Sequence, residues 1–87
     1  MQFFTTILTS GSISINSVDS VSSISIQAND TSECQVLGNY PFKGVTPSAV
    51  SLSNGEILTL SSSSPSQTLD GLTITWVSGT IDIIIGF

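Results

Sequence analysis

Along most of the chain a branched apolar residue alternates with a hydroxyl or other polar one. The pattern runs through Ser12-Ile13-Ser14-Ile15-Asn16, Ser23-Ile24-Ser25-Ile26-Gln27, Thr73-Ile74-Thr75-Trp76 and Thr80-Ile81-Asp82-Ile83. A period of two in β-branched residues is the mark of strands with one buried face. No window carries a helical period. The alternation predicts eight strands, near residues 2–9, 12–16, 21–28, 33–37, 48–52, 56–61, 71–77 and 80–86. Short strands separated by polar turns make a sandwich or small barrel. The expected fold is all-β without substantial helix, a single antiparallel β-sandwich domain over residues 1–87, of jelly-roll or immunoglobulin type.

Parity sharpens two connections. In residues 51–60, SLSNGEILTL, a two-residue Asn54-Gly55 turn would mix apolar and polar residues on each face. A three-residue loop, Ser53-Asn54-Gly55, gathers Val50, Leu52, Leu58 and Leu60 on one face and leaves Ser51 and Thr59 on the other. Gly55 then supplies the left-handed residue of a bulge, with Glu56 at the rim. An arch carrying the two strands into opposite sheets satisfies the same parity. Near the C-terminus, a two-residue Ser78-Gly79 turn aligns Trp76 with Ile81, Ile74 with Ile83 and Leu72 with Ile85. These six form the expected heart of the core, with Thr73, Thr75 and Asp82 on the opposite face.

The same parity turns Ile57, Val77 and Ile84 away from the core, and clustered apolar residues on an outer face mark an interface. Residues 38–47, GNYPFKGVTP, do not read as strand. There Phe42 and Tyr40 either close one end of the sandwich or, beside Lys43, meet a partner, since Tyr and Phe are enriched at interface cores. Residues 61–67, SSSSPSQ, form a low-complexity loop.

Composition narrows the chemistry. Hydrophobic residues make up 39% of the 87, which argues against disorder. Charged residues are only 8% and the net charge is -5, with Lys43 the single cation. Such a chain lacks the basic contacts that nucleic acid or an anionic membrane surface demands. Cys34 is the lone cysteine, so it forms no intrachain disulfide and is expected as a small buried hydrophobe. The start, MQFFTTILTS, lacks the cationic and apolar regions of a signal peptide, and no run approaches the ~18 apolar residues of a membrane span. Histidine is absent, so the common nucleophile–base pairs have no parts. The acids Asp19, Asp30, Glu33, Glu56, Asp70 and Asp82 fall mostly at predicted turns, and Asp30 with Glu33 lacks calcium-loop spacing. The Asn29-Asp30-Thr31 triplet matches a glycosylation acceptor and reads as a turn. No catalytic, cofactor or metal site is expected.

Residues 49–87, AVSLSNGEILTLSSSSPSQTLDGLTITWVSGTIDIIIGF, resemble small β-rich accessory proteins of bacteriophage particles, notably from phages of Bacteroidetes hosts. The likeness lies in LSNGEILTL, then LDGLTI, then the Ile-rich terminal strand after SGT, with FKG upstream. It implies a structural virion protein of the capsid-decoration, vertex or head-fibre-base kind, assembled in the host cytoplasm and carrying no catalytic residues. It further implies partners in copies of itself, as a trimer before a dimer, and in a major capsid or other virion protein. The candidate contact residues are Tyr40, Phe42, Lys43, Ile57, Val77 and Ile84. The rival expectation is a receptor- or carbohydrate-binding module of a fibre or spike, with Tyr40, Phe42 and Trp76 as stacking platforms. The inward parity of Trp76 speaks against it.

Overall fold

The structure is a computed structural model and describes residues 2–38, 43–62 and 68–87. Each segment expected to be a strand becomes one: β1 Phe3–Leu8, β2 Ser12–Ile15, β3 Ser23–Ala28, β4 Glu33–Gly38, β5 Val50–Ser53, β6 Ile57–Ser61, β7 Leu72–Ser78 and β8 Ile81–Gly86. A single turn of 3-10 helix, Ser17–Asp19, is the one helical element among the described residues. Its Asp19 carboxylate accepts from the Asn16 amide at 2.8 Å, which closes the turn.

The strands form two four-stranded antiparallel sheets, here sheet A (β1-β8-β3-β6) and sheet B (β2-β7-β4-β5). Pairing is nested: first strand with last, second with seventh, third with sixth, fourth with fifth. The β3–β8 and β4–β7 ladders then join these pairs into sheets. This is a long two-stranded ribbon folded across itself, the jelly-roll winding, and it decides between the two sandwich types. Ile24, Ile26, Ile81 and Ile83 of sheet A and Cys34 and Ile74 of sheet B are fully buried between the layers.

Neither expected hairpin forms. Strands β5 and β6 lie in different sheets, as do β7 and β8, so both connections are arches. Parity could not separate the alternatives, because strands facing each other across a core point the same residues inward as strands paired within one sheet. The inward assignment therefore survives. Leu52, Leu72, Ile74, Ile81, Ile83 and Ile85 are buried, and Leu58, Leu60 and Trp76 pack partly buried against them. Val50 is the exception and is exposed. It opens the four-residue edge strand β5, and the β4 ladder flanks it on one side only.

The arches hold one another. Asn54 and Gly55 both take left-handed backbone, with φ of 53° and 89°. Their amides turn outward from β5, Asn54 donating to the Ser32 carbonyl (3.2 Å) and Gly55 to that of Ala28 (2.7 Å). Those acceptors flank the β3–β4 arch. From its other side the Asn29 amide donates to the Thr80 carbonyl at 3.2 Å. The Thr80 amide donates back to the Ser32 hydroxyl at 2.9 Å. Gly79 is required there: its φ is +74°, and a Cβ would lie 2.7 Å from Ser32 Cβ and 2.9 Å from its Cα. Among the described residues Ser32 is the one buried polar residue, and its hydroxyl serves the neighbouring arch.

Candidate functional site

Among the described residues no three His, Cys, Asp or Glu side chains come together as a metal site. Cys34 is buried as expected. Desolvation pushes its thiol pKa up, and the adjacent Glu33 carboxylate adds to the rise. Asp30 is exposed at the turn and Glu33 half-buried at the start of β4. The Asn29 amide group is engaged with Thr80 Oγ1 at 3.0 Å.

The two outer faces are the remaining surfaces, and cross-strand register gives their layout. On sheet A, three outward rows cross the strands in the order β1, β8, β3, β6. They read Phe3–Gly86–Ser23–Ser61, Thr5–Ile84–Ser25–Thr59 and Ile7–Asp82–Gln27–Ile57. Phe3 and Ile7 of β1 thus flank Ile84 of β8 in a triangle, with fractional exposures of 69%, 61% and 50%. Asp82 is the one charge in these rows. An open depression lined by Thr5, Ile7, Asp82 and Ile84 lies between the two strands.

Sheet B differs. Its outward positions are Ser12 and Ser14 on β2, Thr73, Thr75 and Val77 on β7, Glu33, Gln35 and Leu37 on β4, and Ser51 and Ser53 on β5. This is a face of hydroxyls, one amide and the Glu33 carboxylate, with two isolated apolar residues.

The structure distributes the sequence-derived contact residues between these faces. Ile57 and Ile84 share the outer face of sheet A, on strands separated by β3. Val77, 41% exposed, lies on sheet B and does not join them. Lys43 is exposed. Tyr40 and Phe42 lie outside the described residues. Trp76 sits half-buried on the core, with its indole N–H donated to the Gly79 carbonyl at 2.8 Å, so its polar edge is already engaged.

Sequence reasoning missed Phe3, Phe4 and Ile7. The signal was present, since residues 3–8 read Phe-Phe-Thr-Thr-Ile-Leu, in doublets instead of alternation. Doublets put apolar side chains on both faces of one strand. The first charged side chain of the sequence comes only at Asp19.

Comparison with protein-family models, curated proteins and solved structures finds no match to this chain.

Proposed function

We propose that this chain is a non-enzymatic structural protein of a bacteriophage particle. In this reading it decorates or cements the capsid, or its vertex or fibre base, through contacts between copies of itself and with a major capsid or other virion protein. One observation carries the reading: the apolar triangle of Phe3, Ile84 and Ile7 left bare on sheet A of a chain with a single cation. An exposed apolar surface of this kind suits permanent burial in an assembly. The jelly roll supports it as fold-level analogy, being frequent in viral capsid proteins as well as in lectins and cupins. The resemblance of residues 49–87 to phage accessory proteins points the same way.

Co-sedimentation tests the proposal. The purified chain is mixed with capsids of the phage whose genome encodes it, and an antibody to the chain is applied to intact particles. Saturable binding and particle labelling are the expected outcomes. Absence of both, or binding to host-surface glycan in their place, overturns it.

A further inference from the structure

We infer that β1 pairs edge to edge with β1 of a second copy, antiparallel and about a two-fold axis at Thr5, joining two A sheets into one of eight strands. The inference deepens the self-association in the proposed function, yet it stands without any virion role.

Four strands lie at sheet edges: β1, β6, β2 and β5. β1 is the longest, with six residues against five, four and four. Short edges and edge charges are the usual protections against pairing, and β1 has neither. It contains no charge or proline, and no described strand lies on its far side.

The hydrogen-bond phase shows what this edge offers. The Phe87 amide donates to the Gln2 carbonyl at 2.9 Å, continuing the β1–β8 register. In antiparallel ladders bonded and non-bonded pairs alternate, so Phe4, Thr6 and Leu8 point their backbone groups at β8. On β8, Gly86 and then Thr80 beyond the strand turn their carbonyls the other way, accepting from Ser22 at 2.8 Å and Asn29 at 3.2 Å, which agrees with that phase. The N–H and C=O groups of Phe3, Thr5 and Ile7 therefore face the open edge.

Two constraints select the register. Outer faces must stay on one side, so outward residues must meet outward residues. The most edge-facing groups should also be satisfied. Centring on Thr5 pairs Phe3 with Ile7 of the second copy, Thr5 with its own counterpart, and Ile7 with Phe3. All three edge-facing residues of each chain then take part. Centring on Thr6 would leave Phe3 without a partner inside the strand. The chosen register creates two aromatic–β-branched pairs and one Thr–Thr pair, all favourable across strands. It also sets the apolar triangle of one copy against that of the other.

Charge permits the approach. Two chains of net charge -5 repel overall. Here, though, the nearest ionised side chains are the two copies of Asp82, three strands and four residues apart. With strands ~4.8 Å apart, that is roughly 20 Å, about two and a half times the screening length at physiological salt.

Sedimentation equilibrium tests the pairing on the wild-type chain and two variants. Thr5→Pro removes the central edge N–H and leaves the β8 ladder untouched, since Thr5 donates nothing to it. Thr5→Lys sets two ammonium groups against each other at the axis. The expected result is a wild-type mass of twice the 9.0 kDa chain, halved in both variants with an unchanged circular-dichroism spectrum. A wild-type monomer or trimer, or a dimer that persists in the variants, overturns the inference. If Thr5→Pro does not fold, Thr5→Lys decides. A monomer that still co-sediments with capsids sinks the edge pairing alone, whereas a dimer that never does so sinks the virion role alone.

Discussion

The outer faces of sheets A and B come from the same kind of sequence and end as opposite surfaces. On sheet B, Ser12, Ser14, Thr73, Thr75 and Ser51 meet water with hydroxyls. On sheet A, Phe3, Ile7, Ile57 and Ile84 stand outside at positions that alternation assigns to polar residues. The inner faces show no such contrast, because both must fill one core. A two-residue period thus dictates the buried side of a strand and leaves the other side free to serve a partner. Where the outward position is also apolar, packing of this chain alone does not explain it.

The largest effect expected separates inside from outside. Ile74 is fully buried, so Ile74→Ala should cost about 2–5 kcal/mol by denaturant unfolding. Ile84→Ala should stay within about 0.5 kcal/mol, as surface changes do. Equal losses at both would mean that the outer residue belongs to this chain's own packing.

Gly79→Ala comes next. It strains a left-handed backbone and drives Cβ into Ser32, at a cost of about 1–3 kcal/mol in the same assay. Gly55→Ala meets open space and should lose only the backbone part of that. The difference between the two isolates the cost of the clash with Ser32, where the arches meet.

The faces themselves are compared by charge insertion. Ile84→Lys should weaken capsid co-sedimentation at least about tenfold, equivalent to ~1.4 kcal/mol. Thr75→Lys on sheet B should leave it unchanged. Equal losses from both would show that the apolar face has no special part in binding.

The smallest effect concerns Cys34, which belongs to neither face. Burial raises its folded pKa, so the unfolded chain gives up the thiol proton first as pH rises. Stability from this group is present below the ordinary thiol pKa of ~8.5 and declines as pH climbs from there through the raised folded value. Unfolding at stepped alkaline pH should show that decline in the wild type and not in Cys34→Ala. A thiol reagent should leave native Cys34 unmodified.

Much of this molecule was legible in its sequence. Strand positions followed from alternation, since a strand at a water–core boundary must place every second side chain inside. The same argument put Ile74, Ile81, Ile83 and Ile85 in the core and turned Ile57 and Ile84 outward. Strand partners were not legible. Whether Ser78-Gly79 closes a hairpin or an arch depends on hydrogen bonds between Thr80 and both the Asn29 amide and the Ser32 hydroxyl, nearly fifty residues away in sequence, and no local period encodes them. The exposure of Val50 and the bare edge of β1 were likewise decided by which strands ended the sheets. Side-chain alternation is a local property of one strand against water; the choice of neighbour belongs to the whole chain, because each backbone edge can be satisfied by any strand the winding brings beside it.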